Sequence, residues 1–206
     1  TDETRAVLIP GSGVDLERFE GAREPLSCGA PMFVMACRML WPKGVREFIE
    51  ASDIVAAAHP AARFILLGDS DPGAPDTVPR DWLRTNSDAR PHVEWPGFQS
   101  DVAPYIRNAD VIVLPSYYNE GLPKTLLEGA AAGRPLIAAD NRGSRDIVKD
   151  GTTGILVPPR DPAALADAMM ALLDDPDSAR AMGRAGRALV EREFSLEQVI
   201  DRTLDV

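Results

Sequence analysis

The stretch Val111-Ile112-Val113-Leu114-Pro115-Ser116-Tyr117-Tyr118-Asn119-Glu120-Gly121-Leu122-Pro123-Lys124-Thr125-Leu126-Leu127-Glu128 runs from an unbroken apolar segment through a polar loop into a helix. An apolar run without polar alternation is what a strand looks like when both sheet faces are covered, the habit of parallel sheets. Proline at 115 closes the strand. The helix starts near Pro123 and ends at Gly133, with Pro135 as a stop just beyond. Strand, loop and helix in that order make half of a βαβ unit.

The same alternation extends in both directions. Further strands are expected at Val7–Ile9, Phe33–Cys37, Arg63–Leu67, His92–Trp95, Leu136–Ala139 and Gly154–Val157. A helix over Gly44–Ala58 sets Val45, Phe48, Ile49 and Val55 on one stripe, and Leu165, Ala168, Met169, Leu172 and Leu173 form another. Asp161-Pro162 and Asp175-Pro176 each pair an N-cap with a proline at the first helical position, the second helix running to about Glu193. Ser195-Leu196-Glu197-Gln198 is a capping box, and Phe194 with Val199 fits a hydrophobic staple. Pro72-Gly73-Ala74-Pro75 marks an exposed loop, and no internal repeat divides the chain. The expected fold is a single α/β, Rossmann-like doubly wound domain, with a mainly parallel sheet of about six strands flanked by helices.

Composition narrows the function. The chain has 206 residues, 45% of them hydrophobic, enough for a real core. No apolar stretch approaches the ~18–20 residues of a membrane span. Thirty-two acidic against 22 basic groups give a net charge of −10, which argues against nucleic acid as a partner. Cys28 and Cys37 are too few for a disulfide framework, and Cys37 sits in an apolar run as a small buried hydrophobe would. His59 and His92, the two histidines, argue against a histidine relay or a His-rich metal site. The chain starts without methionine and breaks off soon after its last helix begins, so it reads as a piece of something longer.

Ligands of open parallel sheets collect at the carboxyl ends of the strands. There the backbone N–H groups of Leu122, Lys124, Thr125 and Leu126 face whatever precedes their helix, and such an end attracts phosphate. Glu128 lies one turn inside and leans back toward the N-terminus, where it could accept hydrogen bonds from a vicinal diol. Glu120 stands on the approach loop. Read alone, the segment also fits a Glu120 that interacts with the helix dipole and a Glu128 on a solvated face. Arg38 and Lys43 bracket the turn after the Phe33–Cys37 strand and could neutralise a diphosphate held at the other helix end.

Taken in order, these segments resemble the donor half of the group 1 (family four) retaining glycosyltransferases. The resemblance is carried by Ile9-Pro10-Gly11-Ser12-Gly13-Val14-Asp15, Arg38 with Lys43-Gly44, Gly68-Asp69, Pro96-Gly97-Phe98 and Ala109–Ser116. It continues through Glu120-Gly121-Leu122-Pro123 with Glu128, then Asp146–Pro159, and ends at Phe194-Ser195. The two glutamates with seven residues between them are that family's signature pair. One departure is Cys37-Arg38, where the family usually has Gly-Arg.

The resemblance implies the C-terminal, nucleotide-sugar-binding half of a GT-B enzyme, with an acceptor-binding N-terminal domain absent from this chain. It implies donor diphosphate contacts from Arg38 and Lys43, sugar and phosphate contacts from the amides of Gly121, Leu122, Pro123, Lys124, Thr125 and Leu126, and a ribose contact from Glu128. Glu120 would be catalytic, beside the donor sugar, and the base would lie near Gly68, Asp69 and Phe98. No metal or other cofactor is expected, because Arg38, Lys43 and the helix end take over the charge of the leaving diphosphate. The implied partners are a nucleotide-sugar, with UDP-N-acetylhexosamine preferred, and a glycan or lipid-linked acceptor of bacterial surface-glycan synthesis. The implied location is the cytoplasm, at the inner face of the plasma membrane for the full-length protein. A GT-B sugar-nucleotide epimerase and a non-catalytic nucleotide-binding module are the competing readings.

Overall fold

The computed structural model describes residues 13–22, 24–26, 29–118 and 121–204, with side chains through residue 200. The expected strand at Val7–Ile9 and residues Cys28, Asn119 and Glu120 lie outside the described residues. In chain order the elements are β1 (Met32–Ala36), α1 (Val45–Ala58), β2 (Arg63–Leu67), α2 (Arg80–Asp88), β3 (Val93–Gly97), α3 (Ala103–Asn108), β4 (Val111–Leu114) and α4 (Lys124–Ala131). They continue as β5 (Leu136–Ala139), α5 (Arg142–Ile147), β6 (Gly154–Val157), α6 (Pro162–Asp174), α7 (Pro176–Glu193) and α8 (Leu196–Leu204). Short 3-10 turns add Glu17–Phe19 and Trp41–Lys43.

All six strands pair in parallel, in the order β3-β2-β1-β4-β5-β6. The chain builds outward from β1 to β3, then returns to the other side of β1 and builds outward again to β6. Strand order therefore reverses between β1 and β4, the point at which loops diverge and leave a crevice.

Period-two side-chain direction splits the apolar strand residues between two cores. Phe33, Met35, Phe64, Leu66, Val111 and Val113 face α1 and α6, with Phe33 and Phe64 stacked at 5.1 Å between ring centroids. Val34, Ala36, Ile65, Leu67, Ile112 and Leu114 face the opposite layer, which includes Ile106 of α3, Leu126 and Leu127 of α4, and Leu189 and Val190 of α7. Both faces are buried, which is why the strands read as continuous apolar runs.

Local chemistry accounts for the ends. Asp161 accepts the Ala164 N–H at 2.9 Å, Asp175 accepts that of Ser178 at 3.0 Å, and Ser195 Oγ that of Gln198 at 3.3 Å. Asp110, fully buried at the head of β4, accepts the N–H groups of Leu26 and Met32 at 2.6 and 2.7 Å. Its carboxylate ties the segment entering β1 to β4. Three helices were not anticipated: α2, which buries only Leu83, and the six-residue α3 and α5.

Candidate functional site

A cleft of about 760 Å³ opens over the carboxyl ends of β1, β2 and β3 beside the start of α4. Two glycines let its walls approach. Gly68, at φ +134°, follows β2, and a β-carbon there would overlap the Cys37 carbonyl oxygen. Gly44, at φ +83°, lets the β1–α1 turn lie directly on the backbone of Pro115 after β4. Side chains are a luxury these turns cannot hold. The Pro42 carbonyl accepts the Tyr117 N–H at 2.9 Å, and Thr125 Oγ1 donates to the Ala36 carbonyl at 2.5 Å, pinning the first turn of α4 to the end of β1.

Four basic side chains line the cleft, and each meets a carboxylate. Arg18 pairs with Asp101 at 2.5 Å, Arg38 with Asp71 at 3.4 Å, and Lys124 with Glu128 at 3.7 Å, while Arg80 engages both oxygens of Asp69. Asp69 Oδ1 also accepts the Ser70 N–H at 2.8 Å, and Trp95 Nε1 donates to the Gly68 carbonyl at 2.8 Å, so this rim is built rather than loose. Phe98 stands on it with 72% of its surface exposed.

Glu128 is the exception among the acidic groups. Its side chain is only 7% exposed, although Lys124 one turn earlier is 71% exposed. Burial pushes its carboxyl above the usual glutamate value, and the charges of Lys124 and then Arg18 partly oppose that rise. A carboxylate held almost out of water beside two cations is a strong acceptor for hydroxyl donors. The solvated-face reading of Glu128 is thereby excluded. By contrast the Arg18 hydrogen bond holds Asp101 below the usual aspartate value.

The structure brings Arg38, Gly68, Asp69, Phe98, Lys124, Thr125 and Glu128 to one cleft. Gly121, Leu122, Pro123 and Lys43 do not line it, and Leu126 is a fully buried core residue. The Leu126 N–H, expected to face a ligand, instead donates to the Pro123 carbonyl at 3.1 Å because the first turn of α4 closes on itself. Sequence reasoning missed Arg18, Asp71 and Arg80 on the lining. Their partners lie far along the chain or on loops without periodicity, and the only available signal was the nearness of Asp69 and Asp71 to Gly68.

Fold and cleft together define a Rossmann-like ligand-binding domain with its site at the reversal of strand order. Residues 30–175 match the family described as Glycosyl transferases group 1, and the chain belongs to that family. It has the fold of a GT-B C-terminal domain: the solved C-terminal domain of the group 1 family protein LpcC from Francisella tularensis superposes with a TM-score of 0.74 at 22% identity, covering 89% of this chain and 99% of that one. Anabaena Alr3699/HepE, solved in complex with UDP and glucose, gives a TM-score of 0.77 at 20% identity over 94% of this chain and 55% of that one. The N,N'-diacetylbacillosaminyl-diphospho-undecaprenol alpha-1,3-N-acetylgalactosaminyltransferase of Campylobacter jejuni is 32% identical over 184 residues, 84% of this chain and 46% of that protein. The chain spans about half the length of the curated relatives it matches. It is a domain of a group 1 glycosyltransferase with the fold of the C-terminal half.

Proposed function

We propose that the domain holds a UDP-linked N-acetylhexosamine for transfer, with retained anomeric configuration, to a lipid-linked or polysaccharide acceptor. An N-terminal domain outside this chain would present that acceptor, and the work would be done in the cytoplasm, at the inner face of the membrane. The observation that carries the reading is the buried Glu128 carboxylate, set in the cleft beside Lys124 and the start of α4. Glu128 would accept the ribose diol. Arg38 and the amides opening α4 would neutralise the diphosphate, and Phe98 with the Gly68-Asp69 turn would flank the base. A base stacked on an exposed aromatic ring gains affinity whatever its hydrogen bonds. Glu120, by its place in the chain before α4, would attend the sugar. The leaving phosphate would depart on the face the acceptor approaches and take up the acceptor's proton.

The Campylobacter relative, by its name, joins an N-acetylhexosamine to a lipid-linked sugar, and this supports the choice of donor and acceptor. Calorimetric titration of the chain with UDP, GDP and ADP tests it. UDP should bind, and bind best. Equal affinities would remove the base assignment, and no binding of any of the three would remove the donor-site reading.

A further inference from the structure

Lys124 and Glu128 stand one turn apart on α4, with Nζ 3.7 Å from Oε1. The geometry is asymmetric, since the carboxylate is almost wholly buried and the ammonium is mostly in the open. Two further charged groups act on Glu128 from other elements. Arg18, on the turn Glu17–Phe19, draws its proton off, and Asp101, on the loop ahead of α3, pushes it on. Arg18 is spent on Asp101 at 2.5 Å, and Asp101 also accepts the Ala103 N–H at 3.0 Å. The arginine's field at Glu128 is thus partly offset by its own partner, while Lys124 pairs with Glu128 directly. Only an ionised carboxylate offers both oxygens to a diol as acceptors, and burial alone favours the protonated form.

Resting on the reading of Glu128 as the diol acceptor, we propose that Lys124 is a positioning residue that keeps the buried Glu128 carboxylate an acceptor turned into the cleft, and that Asp101 limits the same effect by tying up Arg18. The two flanking groups then set how far into acid the site recognises a ribose. Lys124→Met removes the supporting cation. Asp101→Asn keeps an oxygen for the Ala103 N–H but releases the Arg18 charge toward Glu128.

The test compares UDP with its 2′,3′-dideoxy counterpart by calorimetry at several pH values from acid to neutral. Taking the ratio of the two affinities cancels titration of the phosphates themselves. The wild-type chain should prefer UDP at neutral pH and lose that preference as Glu128 takes up a proton. Lys124→Met should lose the preference at higher pH than wild type, by several-fold on the acid side. Asp101→Asn should keep it to lower pH. If Lys124→Met weakens both ligands equally at every pH and leaves the ratio unmoved, Lys124 is only a phosphate contact and the proposal is overturned. If Asp101→Asn shifts the ratio in the same direction as Lys124→Met, the electrostatic account fails. A wild-type chain that never distinguishes the two ligands defeats the underlying reading of Glu128 instead, an outcome separate from the other two.

Discussion

A β-carbon on Gly44 would collide with the carbonyl oxygen of Pro115, so the turn after β1 and the loop after β4 meet backbone to backbone. Gly44→Ala should therefore be destabilising twice over. The left-handed backbone costs about 1–2 kcal/mol for a residue with a side chain, and crowding adds roughly 1–3 kcal/mol. Urea unfolding should show a lower midpoint, and an unchanged midpoint would mean that the two loops separate freely.

Glu128→Gln should trade function against stability. Because burial raises the folded-state pKa of Glu128, the native chain binds more protons than the unfolded one between the ordinary glutamate value and the raised one, and its stability falls as pH rises through that window. Glutamine removes this penalty. The variant should melt at least as high as wild type at neutral pH, lose that advantage in acid below the ordinary glutamate range, and bind UDP less tightly by about 1–3 kcal/mol. Melting curves across pH check the first half and calorimetry the second.

Arg38→Ala should weaken UDP far more than uridine, by about 1.5–3 kcal/mol, since its proposed partner is phosphate. Asp71→Asn should do the reverse. It frees Arg38 from an exposed 3.4 Å pair worth about 0–1 kcal/mol, so UDP affinity should rise by no more than that. Equal losses for nucleotide and nucleoside in the arginine variant would move Arg38 away from the diphosphate.

Arg160 is left-handed at φ +60°, and its guanidinium lies 4.3 Å from the centroid of the Tyr117 ring. Replacement by alanine keeps the backbone cost and loses the ring contact, worth about 0.5–1 kcal/mol at an exposed site. Replacement by glycine loses the contact but relieves the backbone. The glycine variant should melt higher than the alanine variant, and the opposite order would show that the turn is not strained.

Glu120→Ala, made in the full-length enzyme, should lower turnover sharply and leave the affinity for UDP nearly unchanged. A carboxylate attending the sugar, as proposed for Glu120, would act on charge that develops only in the transition state. Single-turnover transfer and thermal melting on the same variant separate this from a purely structural part. A lower melting temperature with normal turnover would take Glu120 out of the chemistry.

The sheet was legible because both of its faces are covered. Arg63–Leu67, Val111–Leu114, Leu136–Ala139 and Gly154–Val157 were expected at the positions the structure gives them, and β1 and β3 moved by one or two residues. Helix α2 was hidden because Arg80-Asp81-Trp82-Leu83-Arg84 has no apolar stripe, and α3 and α5 are shorter than two turns. The site was legible where it rests on one segment, as with Lys124, Thr125 and Glu128, and opaque where it rests on partnership. Nothing in the sequence joins Arg18 to Asp101 across 83 positions. The burial of Glu128 had a readable sign. Leu126-Leu127-Glu128-Gly129-Ala130-Ala131 is almost without polar residues, and all six are buried because α4 is covered by neighbours as well as by the sheet.

The four ion pairs that line the cleft make it nearly neutral before anything enters. A diphosphate bound there as proposed would displace carboxylates of the protein itself, where an ordinary basic groove would shed anions into solution. Affinity for a nucleotide should accordingly change little with salt, unlike the steep dependence of proteins that bind nucleic acid and release its condensed counterions. The same exchange is short in range. One small ligand that reaches the pairs could make it, whereas a long polyanion would meet a chain whose net charge is −10.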